Sequence, residues 1–250
     1  MKNAFIALIA ILGLAAPAWA QSASPAAAAA TPSTSTTTAA VPAARTDLYH
    51  VHFQKAAVGK AAEAADVVKK QAPDAPMPGH YIVLRHQNGD GWDYCVIEHL
   101  GTKASVEASR PAPPASQMAL TDWHTDTYVS GPPWATFAKE MGLDDPSKST
   151  TSAYVVAVYR PAAGQREALD KFLNQPPDRT TDTTSGNVLL QHMEGAEWTF
   201  LSIARYNSWN DFAKNEVNNV GQMSKKDAGW FKLRNYISYH ADTLCDRMVP

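Results

Sequence analysis

The second half of this sequence repeats, in the same order, patterns found in its first half. Tyr49–Phe53 and Tyr154–Val158 are short apolar runs typical of strands. Each run is followed by a glycine, Gly59 or Gly164, and then by apolar residues at helical spacing. The two tyrosines and the two glycines are separated by the same number of residues. A repeat of this length predicts two copies of one structural unit.

Further blocks extend the match beyond the first helix. They comprise a second strand, a Gly-containing turn, a third strand that begins with Trp, and a last strand with the pattern aromatic-His-x-Asp-Thr. In order, the matched pairs are Ile82–His86 with Val188–His192, Gly89–Trp92 with Gly195–Trp198, Trp92–Ile97 with Trp198–Ile203, and Trp123–Thr127 with Tyr239–Thr243. Each copy therefore predicts the order β-α-β-β-(α)-β, with the second and third strands joined as a hairpin.

The second helix of the unit differs between the copies. In the second copy Ser208 is a candidate N-cap, and Asp211 is placed to reach back to it. In the first copy the corresponding segment is shorter and contains Pro111, Pro113 and Pro114. Proline removes a helical hydrogen bond and clashes with the preceding turn. We therefore expect this helix to be shortened or lost in the first copy.

The remaining segments complete the predicted organisation. A connecting helix is expected after Pro133, with Trp134, Phe137 and Met141 on one face, ending near Gly142 and packing over the gap left in the first copy. The expected divisions are a signal peptide (1–20), an Ala/Ser/Thr/Pro-rich linker (21–45), a first ferredoxin-like repeat (46–133), the connecting helix and loop (134–151), and a second ferredoxin-like repeat (152–250).

The start of the chain predicts export. Lys2 precedes the apolar run Ala4–Leu14, and Ala18–Ala20 forms a small-x-small cleavage site. The run is too short to span a bilayer, which needs about 20 apolar residues. No later stretch is long and apolar enough to be transmembrane. The predicted localisation is periplasmic or secreted, and the linker lacks the large apolar side chains that would offset its ordering entropy.

Charge and cysteine content narrow the function classes. The chain has 22 basic and 24 acidic residues and no basic stripe, so we expect no nucleic-acid partner. The two cysteines, Cys95 and Cys245, fit either a disulfide in an oxidising compartment or two small buried thiols. The sequence contains no nucleophile elbow, no phosphate-binding loop and no dinucleotide fingerprint.

A duplicated β-α-β-β-α-β unit resembles the dimeric α/β-barrel superfamily. This superfamily includes antibiotic-biosynthesis-type monooxygenases, stress-responsive barrel proteins and haem-using relatives. The resemblance covers Asp47–Pro250 in element order and depends on topology, without a haem-ligand, cofactor or monooxygenase signature. It implies an α+β fold in which two ferredoxin-like repeats form an intrachain pseudo-dimeric α/β barrel, with helices outside and a central cavity between the sheets.

Candidate ligand-binding residues are those that recur at equivalent positions of both copies: His86 and His192, Trp92 and Trp198, His124 and His240, and Asp126 and Asp242. His and Asp at i and i+2 of a strand share one face, which we expect to lie near the shared interior. Such a pair fits acid–base chemistry, ligand contact, metal binding or a hydrogen bond that ends the strand. The tryptophans fit either hairpin packing or the wall of a pocket.

The first copy also carries His50 and His52 on one strand, opposite in the alignment to Val155 and Ala157. A His-x-His pair can chelate a metal, but the sequence supplies no identified third ligand, so no metal ligand is assigned.

The leading functional hypothesis is an exported barrel that binds a small, mostly apolar molecule of unknown identity. The alternatives are a cofactor-independent oxygenase or isomerase with a His general base, a haem- or metal-binding barrel, and an interaction module on a flexible tether. Catalytic residues, cofactor and oligomeric state are left unassigned.

Overall fold

The structure is a computed structural model that describes residues 44–101, 114–223 and 225–250. The predicted signal peptide and nearly all of the predicted linker lie outside the described residues. The described residues form eight strands and six α-helices, in chain order: β1 (Asp47–Ala56), α1 (Ala61–Val68), β2 (Tyr81–Asn88), β3 (Tyr94–Gly101), α2 (Ala115–Met118), β4 (Thr121–Gly131), α3 (Trp134–Met141), β5 (Ala153–Pro161), α4 (Arg166–Leu173), β6 (Gly186–Glu194), β7 (Phe200–Tyr206), α5 (Trp209–Gln222), α6 (Gly229–Arg234) and β8 (Ile237–Val249). A 3-10 helix, Pro146–Lys148, lies between α3 and β5.

The eight strands close into one antiparallel barrel in the order β1-β3-β2-β8-β5-β7-β6-β4. Within it the first four strands lie side by side as β4-β1-β3-β2. The last four lie as β8-β5-β7-β6, which is the same order. The two arrays join where β2 pairs with β8 and where β4 pairs with β6. The fold is therefore α+β, with all eight strands in one closed sheet.

One hydrophobic cluster with members from all eight strands fills the centre of the barrel. Alternate residues of each strand point inward, as the two-residue period of a strand requires. In β1 these are Tyr49, Val51 and Phe53, and in β7 they are Leu201 and Ile203. Burying one large apolar side chain contributes about 1.5–3 kcal/mol, so this interior is the main source of stability.

Helix α3 closes one end of the barrel. Phe137 and Met141 are fully buried in the interior cluster, and the Tyr154 hydroxyl donates a hydrogen bond of 2.9 Å to the Met141 carbonyl. The helix ends at Gly142, which adopts a left-handed conformation with φ of +67°. The predicted helix and its end are confirmed. Its expected position over the gap left in the first copy is wrong, because the apolar face of α3 seals the barrel end.

The outer face of the last four strands is covered by α4 and α5. Leu169 of α4 is fully buried against Phe200 and Ile237. The predicted cap of α5 is confirmed, since Ser208 Oγ accepts a hydrogen bond of 3.1 Å from the Asp211 backbone N–H. Outside the first four strands lie α1 and, in the described part of the β3–β4 connection, the four-residue α2. Residues 102–113, which include Pro111 and Pro113, lie outside the described residues.

The two cysteines are both buried and both free. Of the two alternatives that the sequence left open, the structure therefore shows the pair of buried thiols. Burial raises the pKa of each thiol, which keeps both protonated and unreactive. Among the described residues, no helix combines the length and apolar character needed to cross a membrane.

Candidate functional site

The structure divides the eight candidate residues between the two faces of the barrel wall. The Trp92 and Trp198 rings belong to the interior cluster, and each lies 5.9 Å from the ring of His86 or His192. The other four candidates, His124, Asp126, His240 and Asp242, lie on the outer face, as described below.

The expectation that these four lie near the shared interior is wrong. Thr127 and Thr243, their immediate neighbours, are buried on the inward face, at 0% and 2% exposure. Successive side chains of a strand point to opposite faces, so Asp126 and Asp242 point outward.

His240 is held at the wall of a groove on the outer face of the second half. It lies opposite Tyr159 on β5, and the two rings stack with centroids 5.0 Å apart at 23°. The His240 Nε2 atom lies 2.8 Å from Asp242 Oδ1. The His240 side chain is only 12% exposed, so the stacking on Tyr159 and the contact with Asp242 fix the orientation of its ring.

The groove has a volume of about 480 Å³ and lies between the sheet and α5. Its sheet side is formed by β5, β7 and β8, and its opposite wall by α5. The lining residues include Val155, Ala157, Ala204, Leu244 and Phe212, with Ser202, Glu216 and Asn219 as polar members. The mixture of apolar walls and a few polar groups is typical of small-molecule sites.

Two tyrosines keep neutral hydroxyls in the groove. Burial raises the pKa of Tyr159, and the charge of Asp242 raises it further, although the hydrogen bond with Ser202 opposes this. Burial likewise raises the pKa of Tyr206, whose hydroxyl accepts a hydrogen bond of 3.1 Å from Asn215 Nδ2. Both hydroxyls therefore remain protonated at physiological pH, and the Tyr159 hydroxyl lies 3.2 Å from Ser202 Oγ.

The His240–Asp242 pair has the arrangement of a general base and its orienting group. Because the Asp242 carboxylate oxygen lies 2.8 Å from Nε2 and would repel a lone pair there, we assign the proton of the neutral imidazole to His240 Nε2. The Nδ1 atom then keeps its lone pair and can take a proton from a bound molecule. The negative charge of Asp242 would stabilise the imidazolium that forms.

The equivalent outer face of the first half carries a cluster of three histidines around Asp126. His50 Nε2 and His52 Nδ1 lie 2.9 and 2.8 Å from Asp126 Oδ1, and His124 Nε2 lies 3.3 Å from Oδ2. Burial acts to raise the pKa of Asp126, but the hydrogen bonds and charges of His50 and His52 outweigh it and hold the pKa well below its usual range. A groove of about 470 Å³ adjoins the cluster between α1 and α2.

From the sequence, the His50 and His52 pair and the His124 and Asp126 pair were considered separately, and their position in one cluster was not predicted. The signal was present, since one strand carries His-x-His and another His-x-Asp. Joining them required the register in which His52 lies opposite Asp126 across β1 and β4. Within the described residues, no group of His, Cys, Asp or Glu side chains is arranged to hold a metal ion.

The expected central cavity is reduced to one end of the barrel. Its middle is filled by the interior cluster, and a pocket of about 280 Å³ opens at the end opposite α3, beside Trp92 and Trp198. Trp198 lies in the interior, whereas Phe200 packs under α4. The Nε2 atoms of His86 and His192 are buried without a hydrogen-bond partner in the described structure.

Comparison with protein-family models finds no match for this chain, and comparison with curated proteins finds none either. Among solved structures, one described as an anthrone oxidase-like protein is similar, with a TM-score of 0.51 and 14% identity over 83% of this chain and 94% of that chain. Another, from Lactobacillus acidophilus NCFM and provisionally named a monooxygenase, has a TM-score of 0.45 and 10% identity over 81% of this chain and 94% of that chain.

At this level of identity the first likeness shows a shared fold and nothing more. That fold fits the ferredoxin-like, antibiotic-biosynthesis-monooxygenase type that the sequence resembles. A match to 83% of the chain exceeds what either four-stranded array could supply, so the likeness extends over both.

Proposed function

We propose that the chain is an exported tandem duplication, in which two ferredoxin-like units form a pseudo-dimeric barrel. The shared strand order of β1–β4 and β5–β8 supports this. Reciprocal contacts support it as well: Gly89 approaches the backbone of Asp242, and Gly195 approaches that of Asp126. Each hairpin turn thus rests on the last strand of the other unit. The predicted signal peptide is the basis for export.

We further propose that the barrel is an enzyme of the oxygenase type that needs no organic cofactor. A small, mostly apolar molecule would bind in the groove between the sheet and α5. The observation that carries this proposal is the placement of His240, which is fixed between the Tyr159 ring and the Asp242 carboxylate at the groove wall.

The proposed reaction begins with a proton transfer. His240 Nδ1 takes a proton from an acidic C–H or O–H bond of the substrate, and the electron pair of that bond stays on the substrate as a carbanion or phenolate. The anion then gives two electrons to dioxygen, the second substrate, as a carbon–oxygen bond forms, and the imidazolium returns its proton to the resulting peroxide to give a hydroperoxide product. Asp242 holds the imidazolium, and the apolar walls exclude water from the anion.

Anthrone, the compound in the neighbour's name, is an aromatic ketone with an acidic hydrogen and is therefore a suitable probe. Dioxygen uptake would be measured with purified protein and anthrone, after subtraction of the uncatalysed rate. Loss of a general base typically lowers the rate by about 10²–10⁴-fold, and we expect this for His240→Ala. His124→Ala is the matched control, because His124 occupies the equivalent position of the first half.

We expect the control to retain activity within about twofold, because loss of a general base is costly only where that base contacts the substrate. A rate in the His240→Ala variant equal to that of the wild type would refute the assignment of the base. No catalysed uptake by the wild-type protein would refute the oxygenase proposal for this substrate class.

A further inference from the structure

The open end of the barrel is a largely aromatic pocket that the proposed reaction does not use. Trp92 and Trp198, only 4% and 6% exposed, form its inner wall, while Trp123 and Tyr239 line its rim. Phe53 supports the Trp92 ring at a centroid distance of 5.0 Å. Trp123 is 40% exposed and lines the pocket, so part of its ring surface is accessible to a ligand.

Two carboxylates border the same pocket. Asp90 lies in the turn between β2 and β3, and Glu197 lies in the equivalent turn between β6 and β7. Burial raises the pKa of Tyr239, and the negative charges of Asp90 and Glu197 raise it further, while Arg160 lowers it. The rim is therefore close enough to both acidic groups to be affected by their charge.

Arg160 balances part of this charge. Its guanidinium pairs with Glu197 at 2.5 Å and lies 5.4 Å from the centre of the Tyr239 ring. None of the described basic side chains forms an ion pair with Asp90. The Asp90 carboxylate accepts a hydrogen bond of 2.7 Å from the Gly91 backbone N–H but has no cationic partner among the described residues, and the rim already engages one cation through the face of Tyr239.

We propose that this pocket binds a small organic cation, with a quaternary or tertiary ammonium group seated among Trp92, Trp123 and Trp198. The face of an aromatic ring is negative, so a cation within about 6 Å of the ring centre is attracted to it, most strongly at Trp. The pocket has a volume of about 280 Å³ and largely apolar walls. An ammonium group that carries alkyl groups fits such a pocket better than a strongly hydrated metal ion does. The carboxylate of Asp90 adds attraction at the rim.

This pocket is separate from the catalytic groove proposed above. The two share no lining residue, although β5 and β8 contribute to both. On β8, Tyr239, Ala241 and Thr243 face the pocket, while His240 and Asp242 face the groove. Ligand binding at the pocket can therefore be tested without reference to turnover.

Isothermal titration with choline and with its uncharged carbon isostere, 3,3-dimethyl-1-butanol, tests the proposal. The two probes have the same shape and differ in charge at one atom. A cation–π contact in a partly desolvated site corresponds to roughly a tenfold change in affinity, so we expect choline to bind at least about tenfold more tightly. We expect Trp123→Ala to lose about tenfold in choline affinity and Trp123→Phe to recover part of it.

Trp230→Ala is the control, since Trp230 on α6 has nearly the same exposure as Trp123, 42% against 40%, and lies outside the pocket. Its choline affinity should equal that of the wild type, as should that of His240→Ala. Equal affinity for both probes would show a neutral apolar pocket and overturn the proposal. A choline affinity in Trp123→Ala equal to that of the wild type, or no detectable choline binding by the wild type, would overturn it as well.

Discussion

Alanine at Gly89 or Gly195 tests how the two four-stranded arrays hold each other. Gly195 has a φ of +117°, and a Cβ atom there would overlap the Asp126 carbonyl oxygen and come within 2.8 Å of the Thr127 Cα. Gly89 has a φ of +132°, and its Cβ would overlap the Asp242 carbonyl oxygen in the same way. Both atoms that a methyl group meets are backbone atoms of a paired strand, so they cannot move aside as a flexible side chain would.

The expected loss of folding stability in these two variants has two sources. A positive φ costs a residue with a side chain roughly 1–2 kcal/mol, and forced overlap inside a packed region typically costs about 1–3 kcal/mol more. We therefore expect Gly89→Ala and Gly195→Ala each to lower the free energy of unfolding by about 3 kcal/mol. Gly164→Ala is the matched control, because its φ is +74° but a Cβ there meets nothing within 4 Å. It should lose only about 1 kcal/mol.

Urea unfolding followed by tryptophan fluorescence measures these differences, since Trp92 and Trp198 are buried beside the two turns. For a domain of this size the difference of about 2 kcal/mol between variant and control also corresponds to roughly 4–8 °C in Tm. If Gly195→Ala and Gly164→Ala lose the same stability, the turn does not press on β4 as described. A large loss at Gly195 with none at Gly89 would refute the reciprocity of the two contacts.

Two further substitutions test local features. Asp126→Asn should cost about 1 kcal/mol at pH 7, a discounted figure because the carboxylate is 43% exposed. Because folding lowers the pKa of Asp126, the greater stability of the wild type over Asp126→Asn is present above about pH 4 and declines as the pH falls below it. Urea unfolding measures this difference in the free energy of unfolding. A difference that is larger at pH 3 than at pH 7 would contradict the reasoning. Ser208→Ala should lower the free energy of unfolding by about 1 kcal/mol, whereas Ser208→Asn retains a cap and should not; equal losses in thermal unfolding would exclude the capping role.

Local patterns in the sequence predicted the elements of the fold well. The hairpins, the first helix of each copy and the cap at Ser208 depend on residues close together in the chain, whose propensities and hydrogen bonds act locally. The end of α3 at Gly142 is of the same kind, because only the φ of one residue decides it. For these features the sequence carries the physical cause directly.

Features that depend on barrel closure could not be predicted. Alternation along β4 shows that Thr127 and Asp126 lie on opposite faces of the sheet, but it does not show which face forms the interior of the barrel. The alternation along β7 does not decide this either, because both of its faces carry apolar residues. The histidine cluster depends on the register of β1 against β4. The position of α3 depends on the packing of Phe137 against Tyr49. The centres of the two rings are 5.1 Å apart, although the residues are far apart in the sequence.

The tandem duplication that we propose accounts for the different chemistry of the two outer faces. In a barrel made of two identical chains, both faces must carry the same residues, so a polar cluster on one would also occupy the other. In a single chain each half can change alone. His50 and His52 surround Asp126, while at the equivalent positions Val155 and Ala157 leave an apolar wall beside His240. The base that we propose for the second half, His240, therefore faces a groove whose walls include the apolar residues Val155 and Ala157 and suit an apolar molecule.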